Sequence, residues 1–118
     1  MNASKDDREV FDVSLFILSL NRAEYFAEAV RSAWEQTHRA HKIVILDNVS
    51  SHDFIEVMEP WIKRGVEWVG SDRTNSPFWN MRRAFKLAQG KYFVIMHDDN
   101  HLCQSFLKEQ SDFLDQNP

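Results

Sequence analysis

The sequence predicts an α/β domain in which a mostly parallel sheet carries helices on both faces. Short apolar runs rich in β-branched residues alternate with segments whose apolar residues recur at helical spacing, and polar residues follow the apolar runs directly. Such alternation indicates parallel strands, because the crossover between two parallel strands is usually a helix. At 118 residues, the chain has the length of one domain.

The first strand is predicted over residues 13–19 (VSLFILS), because a continuous apolar run suits a strand covered on both faces. Asn21 begins a pattern typical of a capping box, so the first helix should start near Arg22. Its apolar stripe comprises Phe26, Ala29, Val30, Ala33 and Trp34. We expect the polar start of the chain to be a disordered arm over residues 1–11, with the folded domain over residues 12–118.

The middle of the chain predicts two further strands. Residues 43–46 (IVIL) form a buried run that ends at Asp47, and residues 66–69 (VEWV) form a short third run. Between them, the apolar residues at helical spacing are Ile55, Met58 and Ile62. Pro60 is expected to kink or divide that helix, because proline lacks the N–H that the helix needs.

The last third predicts a helix, a strand and a second helix. Ser76 and Pro77 suit the N-cap and first turn of a helix, and Gly90 suits the position that ends it. Residues 92–96 (YFVIM) predict the fourth strand, and the final helix is expected over residues 104–114.

Composition excludes several classes of protein. The formal net charge of −4 argues against nucleic acid as a main partner, which favours a basic face. The single cysteine, Cys103, excludes an intramolecular disulfide, and the three glycines are too far apart for a glycine-rich phosphate loop. No apolar run approaches the roughly 20 residues of a membrane-spanning helix. We therefore expect a cytoplasmic protein, with peripheral attachment to a membrane left open.

The most informative polar residues follow the fourth strand, at Asp98 and Asp99. In open α/β sheets, ligands bind beyond the carboxyl ends of the strands, and carboxylate oxygens are the ligands that Mg²⁺ or Mn²⁺ prefers. Adjacent side chains diverge, so one of the two carboxylates would reach the metal. Taken alone, the pair is explained more readily as an acidic turn that caps the next helix.

The first and second strands also end in polar residues. Asp47 and Asn48 would hydrogen-bond a base or a ribose, although, taken alone, an ordinary polar turn explains them more readily. Ser19, Leu20 and Asn21 follow the first strand, where Asn21 is most simply an N-cap. Together with the acidic pair, these residues place polar groups at one edge of a parallel sheet, which is the geometry expected of a nucleotide–metal site.

Basic residues form a fourth candidate set. Arg73 or Arg82 would reach phosphate, because the guanidinium fork matches phosphate oxygens. Arg83 and Lys86 are expected instead on a solvated helix face.

The order and spacing of these features resemble the N-terminal half of the inverting family 2 glycosyltransferases, which have the GT-A fold. The resemblance runs from about residue 12 to residue 118, and its most specific part is LAQGKYFVIMHDDN at residues 87–100. VSLFILSLNRAEYFAEAVRSAWEQT at residues 13–37 and LDNVSS at residues 46–51 match the family's first and second strand regions. The resemblance implies a sheet of order 3-2-1-4 that is truncated after its fourth strand.

The resemblance also implies roles for particular residues. Asp99 would end a DxD-type motif and coordinate Mg²⁺ or Mn²⁺ bridging the diphosphate of a nucleotide sugar, and Asp98 would lie near the ribose or assist the metal. Residues 18–20 would cradle the base, and Asn48, after Asp47, would hydrogen-bond it. The implied nucleotide-sugar site comprises Leu18, Ser19, Leu20, Asn21, Asp47, Asn48, Arg82 and Asp98.

Several residues depart from the family pattern. Asn48 stands in place of a usual aspartate, which would shift base preference away from uracil, and Leu20 stands where an aromatic residue is common. Leu18 replaces a usual proline, and His97 stands where many members have the first aspartate of the motif.

These features predict the donor-binding half of an inverting transferase that uses a UDP-, GDP- or dTDP-linked sugar and a glycan or lipid-linked acceptor. The family's general base lies in the second half of the fold, so we expect it beyond Pro118 and expect these residues alone to be inactive. The alternative is a non-catalytic α/β binding or interaction module with a degenerate site. The fourth strand would be an exposed apolar edge, for which we expect self-association.

Overall fold

The computed structural model describes residues 6–19, 23–47, 52–70 and 77–117. Strands and helices alternate along the chain: β1 (Val10–Ser19), α1 (Ala23–Trp34), β2 (Arg39–Asp47), α2 (His52–Lys63), β3 (Glu67–Val69), α3 (Pro77–Leu87), β4 (Tyr92–His97) and α4 (Phe106–Gln116). The predicted α/β class is confirmed.

The four strands form one sheet in the order β3-β2-β1-β4, and every pair of neighbours is parallel. This is the order that the family resemblance implies. In the register of β1, Ser19 lies opposite Asp47 of β2, and Leu18 lies opposite His97 of β4. The carboxyl ends of these three strands are therefore level, and the residues that follow them share one edge of the sheet.

The core occupies both faces of the sheet, because β1 sends alternate side chains to opposite sides. Leu15 and Ile17 pack with α1 and α4 on one face, whereas Phe16 and Leu18 pack against Val44 and its neighbours on the other. Leu15, Phe16 and Ile17 are completely buried, which explains the unbroken apolar run in the sequence.

The N-terminal segment is ordered further than predicted. β1 begins at Val10, inside the expected arm, and Arg39 of β2 donates its backbone N–H to Glu9 O at 2.8 Å. Arg8 donates from Nη1 to the carbonyls of Trp34, the last residue of α1, and of Gln36, which lies just beyond it. The last carbonyls of a helix lack an intrahelical partner. Residues 6–11 therefore belong to the folded part, and residues 1–5 lie outside the described residues.

Pro60 does not divide its helix. α2 runs from His52 to Lys63 with Pro60 inside it. Met58 is 1% exposed in the core shared with α1, and Trp61 packs against Trp34 with ring centroids 6.0 Å apart. This packing on both sides of the proline outweighs the loss of a single backbone hydrogen bond.

Gly90 turns the chain from α3 into β4. Its φ is +95°, which suits glycine, and a Cβ there would clash with Asp12 Oδ1. Lys91 then donates its backbone N–H to Asp12 O at 3.0 Å, which aligns the start of β4 with β1. Among the described residues, no helix is long and apolar enough to cross a membrane.

Candidate functional site

The carboxyl edge of the sheet buries polar side chains at the ends of three strands. Ser19 and Asp98 are completely buried and Asp47 is 1% exposed. The backbone N–H of Asp98 donates to Leu18 O at 3.1 Å, which ties the residues after β4 to the end of β1. Within the described ranges, no buried side-chain nitrogen or oxygen lacks a hydrogen-bond partner, so this edge is organised before any ligand binds.

The acidic turn (residues 97–100) closes on itself through Asn100. Asn100 Oδ1 accepts the backbone N–H of His97 at 2.8 Å, and the backbone N–H of Asn100 donates to His97 O at 3.1 Å. Within this turn Asp98 is buried and Asp99 is exposed. The two adjacent carboxylates therefore have different surroundings, and Asp99 is the one that faces solvent.

The acidic turn does not cap the following helix. α4 begins at Phe106, later than the predicted residue 104, and its N-cap residue is Ser105. Asp98 and Asp99 lie too far upstream to accept its first backbone N–H groups. The explanation of the acidic pair as a simple helix cap is therefore wrong.

Mg²⁺ or Mn²⁺ would fit the acidic turn only in one binding mode. The part of the chain that the structure describes contains no cluster of three or more His, Cys, Asp or Glu side chains suited to a metal ion. These cations, however, are commonly held by one or two carboxylates together with the phosphates of a substrate. Asp98 and Asp99 fit that mode, in which the ligand supplies the remaining oxygens.

His101, just past the acidic turn, pairs with α1. His101 Nδ1 lies 3.0 Å from Glu28 Oε2, and Glu28 also bonds Arg31. The Arg31 guanidinium holds the pKa of Glu28 below its usual range, with a smaller contribution from His101. These side chains are exposed, so the pairs orient the loop more than they stabilise it.

Asp47 is contacted by side chains from two other elements. Trp68 of β3 donates its indole N–H to Asp47 Oδ2 at 3.2 Å, and Arg83 of α3 donates from Nη1 to Asp47 O at 3.4 Å. Both contacts join the end of β2 to its neighbours, so they fix the position of its last residue.

Arg83 does not lie on a solvated helix face, and that prediction is wrong. It is half-buried and donates from Nη2 to Val69 O at 2.8 Å and Gly70 O at 3.2 Å. Burial lowers the pKa of Arg83, and the nearby Asp47 opposes that shift. Carbonyls where a strand ends lack ladder partners, and the five donors of a guanidinium suit several of them at once.

The other predicted site residues differ in burial, and some of them lie outside the described residues. Leu18 is buried in the core, so it offers the edge only its backbone, whereas Arg82 is exposed on α3. Lys86 is also exposed. The predicted residues outside the described ranges are Leu20, Asn21, Asn48 and Arg73.

A cavity of about 330 Å³ lies at the opposite edge of the sheet. It opens beside the first residues of β1 and β4, and its lining includes Asp12, Tyr92 and Asp115. Lys91 Nζ and Tyr92 Oη each lie 2.6 Å from Asp115 Oδ1, so these polar groups already satisfy one another. This cavity is remote from the acidic turn.

The comparisons with known proteins identify the family. Residues 14–118 match glycosyl transferase family 2. The chain belongs to this family. It is 22% identical over 104 residues to the putative teichuronic acid biosynthesis glycosyltransferase TuaG of Bacillus subtilis, an alignment that covers 86% of this chain and 41% of that protein.

Solved structures share the fold. S. aureus TarS residues 1–349 in complex with UDP match with a TM-score of 0.80 and 18% identity, over 90% of this chain and 32% of that one. A mannosyltransferase from Pyrobaculum calidifontis, in complex with GDP-Man and Mn²⁺, matches with a TM-score of 0.67 and 18% identity, over 76% of this chain and 28% of that one. At this identity the likeness shows the GT-A fold alone, and the chain spans less than half of each relative.

Proposed function

We propose that this chain is the donor-binding part of a glycosyltransferase and binds a nucleotide-diphosphate sugar at the carboxyl edge of the sheet. The observation that carries the proposal is the level arrangement of Ser19, Asp47 and the acidic turn in a chain of family 2. The UDP and GDP-Man complexes of the structural relatives support a nucleotide ligand of this kind.

Asp99 is the proposed cation ligand, assisted by Asp98. Asp99 is exposed at the sheet edge, whereas Asp98 is buried with its backbone bonded to Leu18. Mg²⁺ or Mn²⁺ bound there would act as a Lewis acid that neutralises charge on the diphosphate. The Mn²⁺ complex of the mannosyltransferase supports a divalent cation for this site.

The end of β2 is the proposed base-binding side. Trp68 and Arg83 hold Asp47 from β3 and α3, so the last residue of β2 has a fixed position. We propose that Asn48, Leu20 and Asn21 complete the contacts to the base and ribose. Arg82, exposed on α3, is the proposed side chain for the diphosphate.

The proposed reaction is inverting transfer of a glycosyl group. An acceptor hydroxyl on a glycan or lipid-linked molecule loses its proton to a general base and bonds the anomeric carbon as the bond to the diphosphate breaks. The nucleoside diphosphate leaves with the electron pair of that bond. We propose that the general base belongs to the acceptor-binding half of the fold and that residues 12–118 bind the donor without turnover, in the cytoplasm or at its membrane surface.

Thermal unfolding with UDP, GDP and dTDP, each with and without Mn²⁺, tests the proposal. One nucleotide should raise the unfolding midpoint only when Mn²⁺ is present, because a ligand that binds the folded state stabilises it. Asp99→Ala should abolish the rise, whereas Asp7→Ala, at an exposed residue far from the edge, should keep it. No shift with any nucleotide would favour the non-catalytic module.

Self-association through β4 is a further part of the proposal. β4 ends the sheet of the described residues, and Phe93 is 40% exposed beside Phe85, with ring centroids 5.3 Å apart. Exposed apolar edges pair with other chains. Sedimentation should show concentration-dependent association that Phe93→Lys reduces, and a monodisperse wild-type monomer at high concentration would contradict it.

A further inference from the structure

Gln36 is a completely enclosed amide between α1 and β2. It is 1% exposed, and each end of its side chain is hydrogen-bonded. Nε2 donates to Ser32 O at 3.0 Å and to Cys103 O at 2.7 Å, and Oε1 accepts the backbone N–H of Leu107 at 2.9 Å. One side chain therefore joins the end of α1 to both ends of the segment of residues 103–107.

Two neighbouring contacts attach the same part of the chain to α1. The backbone N–H of Leu102 donates to Ser32 Oγ at 3.1 Å, and Ser32 Oγ itself donates to Ala29 O at 2.8 Å. The backbone N–H of Thr37 donates to Gln104 O at 2.8 Å. Together with Gln36, these bonds form a clamp (Ser32, Gln36 and Thr37) that holds residues 102–107.

Along the chain, Asp99 lies between the end of β4 and the residues that this clamp holds. On its N-terminal side, Asp98 is tied to Leu18 of β1. On its C-terminal side, the chain reaches the clamp at Leu102. The exposed carboxylate of Asp99 thus depends on two anchors, and Gln36 makes more of the bonds in the second anchor than any other side chain described here.

We propose that Gln36 is a positioning residue for the cation–diphosphate site, an inference that rests on the proposed function. It touches neither the cation nor the nucleotide and acts by fixing the path of the chain after the acidic turn. When a residue that orients metal ligands from outside the coordination sphere is replaced, metal affinity typically falls by about 10- to 100-fold. Because Gln36 acts through the backbone, we expect a loss of about tenfold, at the lower end of that range.

The test compares variants of the full chain in two measurements. Gln36→Leu keeps the approximate volume and removes all three bonds, and Gln110→Leu makes the same change at an exposed glutamine of α4. Met58→Ala supplies a variant destabilised in the core that breaks none of the hydrogen bonds of the clamp. Calorimetry gives the affinity for the nucleoside diphosphate with Mn²⁺, and hydrogen exchange without ligand reports the Leu102 and Leu107 amides.

We expect Gln36→Leu to speed exchange at both amides and to weaken Mn²⁺-dependent nucleotide binding about tenfold. Met58→Ala should lose stability yet bind the nucleotide as the wild type does. If Gln36 had a merely structural role, both variants would lose affinity alike. If Gln36→Leu fails to fold, Gln36→Met removes the same three bonds with an unbranched side chain of similar length, and the same loss of affinity is expected.

The outcomes separate this inference from the proposed function. A wild-type chain that binds no nucleotide overturns the proposed function and the positioning role with it. A wild-type chain that binds, together with a folded Gln36 variant of unchanged affinity, overturns the positioning role alone. Equal losses of affinity in Gln36→Leu and Met58→Ala also overturn it, because general destabilisation would then explain both.

Discussion

Asp47 and Asp98, at the carboxyl edge of the sheet, differ in burial from Asp115, at the amino edge where the strands begin. At the carboxyl edge, Asp47 and Asp98 are buried, and Asp47 accepts an indole N–H while Asp98 is tied to β1 by its backbone. At the amino edge, Asp115 remains half-exposed and pairs with Lys91. An exposed pair gains little because solvent screens it, whereas a buried polar group requires its hydrogen bonds to be in place. The carboxyl edge is therefore the more preorganised of the two.

Replacement of Arg83 should give the largest difference in the free energy of unfolding between a variant at the carboxyl edge and a variant at the amino edge. Arg83→Met removes hydrogen bonds to the carbonyls of Val69 and Gly70, so we expect a loss of about 2 kcal/mol in the free energy of unfolding. Lys108→Met breaks an exposed i,i+4 pair with Asp112 at the amino edge and should leave stability unchanged. Urea unfolding of both variants measures the difference, and equal stabilities would remove the distinction between the edges.

Trp68→Phe should have a smaller effect. Phenylalanine keeps a smaller aromatic ring but loses the indole N–H that Asp47 accepts, and the loss of that bond costs roughly 0.5 to 1 kcal/mol. A double-mutant cycle with Asp47→Asn isolates the pair. A coupling energy of zero would show that this contact does not fix the end of β2.

The pH dependence of Asp115 should be the smallest effect. Lys91, then Tyr92, holds the pKa of Asp115 below its usual range. A carboxyl with a depressed pKa contributes stability above its unfolded pKa and loses it as the pH falls through the folded pKa. The gap between the unfolding midpoints of wild type and Asp115→Asn should therefore shrink from about pH 5 to pH 2. A gap that stays constant across that range would contradict the prediction.

The sequence predicted the strands well because their signal is local. The run at residues 13–19 is apolar on both faces, and the structure buries both faces. The start of β1 was harder to predict, because Val10 and Asp12 are exposed and belong to the sheet only through pairing with β2 and contacts to Lys91. Pairing between distant segments leaves little trace in the sequence around either one.

The candidate site was predictable in position but not in its supports. The polar residues that follow β1, β2 and β4 together indicate a sheet-edge site, whereas the acidic pair alone favoured a helix cap. Arg83 gives no such signal, because its role comes from carbonyls of β3 and the chain just after it. In the sequence, Gln36 likewise resembles an ordinary polar residue after a helix. Its hydrogen bonds to residues 103 and 107, which are distant in sequence, explain its burial.

β1 pairs with both strands whose ends carry the acidic residues, so its register sets the relative positions of those residues. A slip of one residue would exchange the faces of Phe16 and Ile17 and also move Leu18 away from the backbone N–H of Asp98. Any change in register would therefore damage both folding and the proposed binding site. We expect that substitutions beyond the strand ends can alter ligand preference while leaving the register of β1 unchanged.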